Sequence, residues 1–305
     1  MTSAIEQQVT PKKEGTILKT GRKPLTRRTI FFRQFLKNRG AVVGAIFLIV
    51  ITLIGIFAPV VSPHNPLVMS PPDQLLPPSP EYLLGTDQYG RDMLSRVIYG
   101  TRVSLQVGFL SNIFSVIIGL SIGVIAGYYG GRFDTLVMRL MDMVLAFPAL
   151  LLALTIIALV GQRSLTWVMI ALGIVWIPVY ARLIRGSVLS AKENTYVEAA
   201  RVVGMSNMRI MWRHILPNSV APVIVLFSLL VGVAIRSAAS LSFLGMGAQP
   251  PTPEWGLMLF ETKQFMRISP WVTVSPGLAI LLTVLAFNLV GDGLRKALDP
   301  RMKVE

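Results

Sequence analysis

The chain has 305 residues, 53% of them hydrophobic and only 14% charged, with mean hydropathy +0.62. A soluble domain averages nearer a quarter charged residues, so this composition excludes an ordinary soluble globule and indicates a membrane protein. The net charge of +14 then reads as cations flanking membrane spans rather than a nucleic-acid surface, and the absence of cysteine excludes disulfides, thiol catalysis and Cys-based zinc sites.

Residues 1–40 are polar and basic, with ten Lys/Arg against Glu6 and Glu14, and the first 24 or so have the composition of a disordered segment. In "TIFFRQFLKNR", residues 29–39, Ile30, Phe31, Phe35 and Leu36 alternate with Arg33, Lys37 and Arg39. That pattern predicts a short interfacial amphipathic helix. Six apolar runs follow, near 41–62, 103–129, 135–160, 165–186, 218–245 and 271–293. Each approaches the ~20 residues a helix needs to cross a bilayer. The first begins too far in, and is too long, for a cleaved leader. An all-α integral membrane protein with six transmembrane helices is expected. It divides into a cytoplasmic N-terminal segment (1–40), a six-span transmembrane body (41–293) and a cytoplasmic tail (294–305). With the N-terminus inside, the inner connections hold 22 Lys/Arg and the outer ones 6, which places both termini in the cytoplasm.

The outer loop, 63–102, opens with a proline-rich stretch at 63–80 that excludes regular helix or central strand. Beyond it, Asp87/Arg91 and Asp92/Arg96 are each spaced i,i+4, which predicts a short helix lying on the outer face over 81–102. Gly119, Gly123 and Gly127 line one face of the second span and predict close helix packing. Pro148, Pro178 and Pro276 predict kinks in or near the third, fourth and sixth. Two charges fall inside spans. Asp142 fits either an internal pair with Arg139 or a pathway role, and Arg236 fits either a pathway cation or a partner for another subunit's carboxylate. His64 and His214 stand far apart without ligand-like spacing, so no metal site is expected.

The inner connection between the fourth and fifth spans, 187–217, is long and mixed in character. "LSAKENTYVEAARVVG" reads as one helix ended by Gly204 in the left-handed position. Ser206 or Asn207 can cap a second helix, "MRIMWRH", and Pro217 can open the fifth span. Glu198 beside the small Ala199 and Ala200, with Arg209 and Arg213 on one face and Met205, Met208 and Met211 as deformable contacts, suits a docking surface.

The pattern Glu-Ala-Ala, three residues, Gly, nine more, then His-Ile-Leu-Pro resembles the EAA loop of ABC-importer permeases. "LGTDQYGRDMLSRVIYGTRVSL" (84–105), "DMVLAFPALLLAL" and "GDGLRKALDPR" resemble the C-type permease of dipeptide, oligopeptide and nickel importers, over residues 25 to 303. His214 agrees with the peptide-type members. The resemblance implies a coupling helix that docks on an ATPase, with Glu198, Ala199, Ala200, Gly204, Arg209, Arg213, His214 and Pro217 as its residues. It implies a second homologous permease, two ABC ATPase subunits, an extracytoplasmic binding protein and a bacterial inner membrane. Asp87, Arg91, Asp92 and Arg96 become the outer-face receptor contact.

The chain lacks a Gly-x4-Gly-Lys-Ser/Thr phosphate loop, so ATP and Mg are expected on the partners, with no cofactor on this chain and no enzymatic activity of its own. Dipeptides or oligopeptides are the expected cargo, with nickel chelates, glutathione or oligosaccharides open. A secondary transporter using Asp142 in a proton relay is the weaker alternative; it predicts internal repeats, and no clear repeat is visible. An intramembrane enzyme would need a Ser/His pairing or an HExxH motif, and the spans contain neither.

Overall fold

The computed structural model describes residues 27–298. The expectations for residues 1–26 and for 299–305 lie outside the described residues. The chain is all-helical: α1 (Arg27–Lys37), α2 (Arg39–Ile56), α3 (Ala58–Val61), α4 (Met93–Tyr129), α5 (Gly131–Leu145), α6 (Ala149–Val160), α7 (Leu165–Ala191), α8 (Thr195–Val202), α9 (Asn207–Ile210), α10 (Leu216–Ser219), α11 (Ala221–Phe243), α12 (Trp255–Thr262) and α13 (Trp271–Leu298). No strand forms among the described residues; two extended residues, Thr86 and Asp92, make a single bridge.

Five helices, α2, α4, α7, α11 and α13, are long and apolar enough to cross a membrane. The third apolar run is not a straight span. It is α5 and α6, bent by 90° at a short break. Pro148 explains the break, because it has no N–H to give and it pushes Phe147 out of helical geometry. Counted as one, the bent pair brings the total to six. Pro178 and Pro276, by contrast, lie inside continuous helices. The first span stops at Phe57, where Pro59 opens the one-turn α3. The last runs beyond 293, so the first residues of the expected tail are helical.

α4 and α7 form the closest pair, and the glycine stripe is the reason. A Cβ on Gly119 would sit 2.7 Å from Ile177 O, and one on Gly123 would sit 2.3 Å from Ala181 O. Only hydrogen fits where two backbones approach this closely. Polar side chains inside the bundle satisfy one another. Asn112 on α4 donates to Gly108 O and Leu230 O and accepts from the Tyr180 hydroxyl at 3.0 Å. Ser115 donates to Gly173 O at 2.7 Å. In apolar surroundings these groups would otherwise remain unpaired.

The expected surface helix over 81–102 is absent. Residues 81–92 form turns, and α4 starts only at Met93, capped by Asp92, whose carboxylate accepts from Ser95 N at 2.8 Å. The i,i+4 spacing of Asp87 and Arg91 serves a turn: Asp87 Oδ1 accepts the backbone N–H groups of Tyr89 and Arg91, and Gly90 takes φ +71°.

Candidate functional site

Two regions hold the residues singled out by sequence, one at each end of the bundle. At the first, α7 ends at Ala191 and α8 begins at Thr195, so the stretch expected as one helix is two, separated by Lys192–Asn194. α8 closes with two reciprocal bonds: Gly204 N–H donates to Arg201 O at 2.9 Å, and Met205 N–H donates to Ala200 O at 3.1 Å. Gly204 has φ +80°, as this closure requires. Ser206 precedes α9 without a side-chain cap bond; Asn207 instead accepts from the Tyr128 hydroxyl at 2.7 Å and ties the loop to α4. A wide turn, Met211–Ile215, follows, with Leu216 N–H reaching back to Met211 O. Pro217 falls within α10, and the fifth span proper starts four residues later, at Ala221.

Val197, Ala200, Ile210, Met211 and Ile215 anchor this element against Tyr180, Ile184 and Val188 of α7. Ala200 and Met211 are therefore core residues, not surface contacts. The face left open carries Glu198, Ala199, Gly204, Arg209 and Arg213 together with large apolar side chains. Val202 is 88% exposed, Val203 77% and Met208 62%. This apolar surface lies beside cations on a well-anchored element. His214 is half-buried, with Nε2 enclosed and unpartnered.

At the other end, Asp87, Arg91, Asp92 and Arg96 are all buried. Arg91 Nε donates to Asp87 Oδ2 at 2.6 Å, and both Arg91 and Arg96 donate to Glu261 Oε2 at 3.1 Å. Arg96 Nε lies 3.5 Å from Asp87 Oδ2, so it pairs with Asp87 and Glu261 rather than with Asp92. Two guanidinium groups thus face two carboxylates, and the buried charge is balanced. Asp92 faces His64 Nδ1 at 3.6 Å. Glu254 caps α12 through Gly256 N and Leu257 N, and Trp255 Nε1 donates to Val97 O at 3.1 Å. Burial raises the Glu254 carboxyl above its ordinary value against the downward pull of those two N–H groups.

The two charges expected inside spans differ. Asp142 pairs with Arg182 on α7 at 2.5 Å, not with Arg139. Arg236 on α11 is exposed, and no ion pair involves it among the described residues. A second α5–α7 pair, Asp134 with Arg185, is bidentate at 2.5 and 2.6 Å. Sequence reasoning missed Glu261, Asp134, Arg182 and Arg185. The periodic placement of Arg182 and Arg185 opposite Asp134 and Asp142 was the available signal for the last three. Among the described residues no His/Asp/Glu group could hold a metal ion.

A family model described as "Binding-protein-dependent transport system inner membrane component" matches residues 119–304. A second, "N-terminal TM domain of oligopeptide transport permease C", matches residues 26–78. The chain belongs to this family of ABC-importer permeases, in its dipeptide/oligopeptide/nickel C-type branch. The permease is 48% identical over 272 residues to the dipeptide transport system permease protein DppC of Alkalihalophilus pseudofirmus, covering 89% of each chain. It is 46% identical to DppC of Haemophilus influenzae, covering 92% of this chain and 97% of that one. It is 46% identical to the glutathione transport system permease protein GsiD of Pectobacterium atrosepticum, covering 90% and 91%. A solved structure of the MetNI methionine ABC transporter in an inward-facing conformation shares the fold at TM-score 0.56 and 19% identity, over 68% of the permease and 98% of that chain. The protein is therefore a multi-pass component of a bacterial inner membrane, a permease without catalytic activity, and ATP hydrolysis belongs to partner ABC subunits.

Proposed function

We propose that this permease forms half of the translocation pathway of an ATP-driven importer for dipeptides or oligopeptides. The observation that carries the proposal is the anchored, exposed element at 195–215, whose open face carries Val202, Val203 and Met208 between Glu198 and Arg213. Relatives named as dipeptide permeases support the cargo, and the glutathione permeases among them act on a peptide as well. In this reading the termini are cytoplasmic, as the Lys/Arg distribution supports, and α8–α9 is the coupling segment received by an ATPase subunit. A homologous second permease completes the pathway. Glu198, Ala199, Gly204, Arg209, Arg213 and the exposed Pro217 line the ATPase contact; Ala200 and His214 shape it from within. An extracytoplasmic receptor meets the surface supported by the buried Asp87–Arg91–Arg96–Glu261 cluster and capped Asp92, where Val68, Met69, Leu83 and Tyr89 are exposed. Arg236 faces the pathway as a cation for peptide carboxylates, and Asp142 lies at the pathway's inner side.

The test is uptake into vesicles holding the permease with its candidate second permease, two ATPases and receptor. Dialanine is supplied outside and ATP inside. ATP-dependent accumulation is expected, lost on Glu198→Lys and reduced by Arg236→Ala. Accumulation driven by a proton gradient without ATPases would favour the secondary transporter, and uptake of nickel chelates or oligosaccharides alone would replace the cargo.

A further inference from the structure

The cytoplasmic side of the bundle contains a groove of about 740 Å³ between the end of α7 and the start of α11, which the ATPase contact does not use. Its lining includes the polar side chains of Arg182, Ser187, Ser190, Asn194 and Asn218 among apolar ones. Arg182 is its one cation. The guanidinium is held by Asp142 from outside the groove, in a pair whose members are 52% and 48% exposed. An exposed ion pair is worth only ~0–1 kcal/mol, so another carboxylate can exchange for Asp142 at little cost.

The two asparagines are committed in a particular sense. Asn194 Nδ2 donates to Ser190 O and Ala191 O, and Asn218 Nδ2 donates to His214 O. Both amide hydrogens of Asn194 and one of Asn218 are used within the chain, and each residue offers the groove a carbonyl oxygen, an acceptor. One side of the groove therefore presents a guanidinium fork, and the other presents the carbonyl oxygens of Asn194 and Asn218 beside the hydroxyls of Ser190 and Tyr196. Nine helical residues separate Arg182 from Ala191, beside which Asn194 sits, or ~13 Å of helix axis. A peptide of two to four extended residues covers ~7–14 Å.

From this juxtaposition we infer that the groove is an inward-side peptide subsite. Arg182 takes the C-terminal carboxylate in exchange for Asp142, and the Asn194 and Asn218 oxygens accept from the peptide's ammonium or amide N–H groups. The inference rests on the peptide-import reading and adds to it a named site with polarity: carboxylate toward Arg182, amino end toward α8. Asp142 acts as the stand-in that re-pairs with Arg182 when the peptide leaves, so the cation never lacks a partner. The neighbouring Asp134–Arg185 pair holds α5 on α7 throughout, because it is bidentate and its carboxylate is largely buried.

The test uses the full vesicle system with two probes, dialanine and its C-terminal amide, and compares each variant with the native chain for both. Receptor preference cancels in that ratio of ratios. Arg182→Gln is expected to slow dialanine uptake about tenfold or more, the usual cost of a lost charged hydrogen bond, while amide uptake changes less than twofold. Receptor-stimulated ATP hydrolysis should stay within twofold, and Arg182→Lys should restore part of the discrimination. Asp142→Asn keeps Arg182 free and should retain the preference for dialanine over its amide. Equal losses for both probes in Arg182→Gln would show a merely structural clasp, and no loss for either would remove the site. Absence of ATP-dependent uptake of either probe by the native chain would overturn the peptide reading and this subsite together.

Discussion

Replacing Gly204 with alanine isolates backbone conformation from everything else in the proposed coupling segment. A Cβ built on Gly204 meets nothing within 4 Å, so no steric overlap accompanies the change. What remains is φ +80°, a left-handed conformation that costs a residue with a side chain ~1–2 kcal/mol. That cost falls on the pair of bonds closing α8, Gly204 N–H to Arg201 O and Met205 N–H to Ala200 O. A change of this size shifts the closed-to-open ratio of the turn about 5–30-fold. Amide hydrogen exchange at positions 204 and 205 in the purified permease should accelerate by that factor, with Val188 and Ile184 on α7 unaffected. Asparagine tolerates the left-handed region, so Gly204→Asn should recover most of the protection. In the assembled transporter, receptor-stimulated ATP hydrolysis should fall in Gly204→Ala and return in Gly204→Asn. Equal behaviour of Ala and Asn, or native protection in both, would show that the left-handed closure does not govern the segment.

Gly123→Ala places a Cβ 2.3 Å from Ala181 O and should separate α4 from α7, giving aggregated protein in detergent chromatography; Gly277→Ala, where nothing lies within 4 Å, should elute as the native chain does. Glu261→Gln leaves Arg91 and Arg96 sharing Asp87 in a buried setting, an expected loss of ~3–5 kcal/mol, and an unchanged melting temperature would contradict the account of the cluster. Glu254 gives a pH dependence. A carboxyl whose folded pKa exceeds its unfolded value favours folding when protonated; that contribution is complete below the unfolded value and is lost as pH rises through the folded one. The stability difference between Glu254→Gln and the native chain should therefore shift in favour of the variant as pH rises from about 4 toward neutrality. A difference independent of pH would mean that Glu254 is not raised.

Much of this architecture was legible because lipid-facing helices announce themselves by length and hydropathy, and because the glycine spacing at 119, 123 and 127 has one common use. The Gly204 closure of α8 followed from local chemistry, but the break before Thr195 did not. What escaped was of two kinds. One was local geometry with two solutions: Asp87 and Arg91 at i,i+4 pair equally well across a turn closed by Gly90, and Phe147–Pro148 permits a 90° break as readily as a kink. The other was long-range: Glu261 meets Arg91 across 170 residues, and no periodicity connects them. Asp142 illustrates both, since its partner proved to be Arg182 on another helix rather than Arg139 one turn away.

Where the permease can move follows from where its charges are buried. At the end proposed to face outward, sliding α12 against the start of α4 would strand Arg91, Arg96 and Glu261 away from water, at a cost of several kcal/mol. Trp255 adds its own bond to Val97 O. At the opposite end, no ion pair among the described residues joins α7 to α11, and the one pair at the rim of the groove, Asp142–Arg182, is half-exposed and worth ~0–1 kcal/mol. The element proposed to receive the ATPase is joined to α7 at that end, by Lys192–Asn194, and packs on its inner turns. We predict a hinge: the outer platform stays one body while the inner ends of α7 and α11 separate during the ATPase cycle. The native chain has no cysteine, so pairs of introduced cysteines can be spin-labelled without background. Ser190→Cys with Asn218→Cys spans the groove, and Val68→Cys with Met266→Cys spans the outer face, where both side chains are exposed. Between nucleotide-free and ATP-bound transporter, the first pair should change its distance distribution and the second should not. Movement at the outer pair with a fixed inner pair would place the hinge at the wrong end.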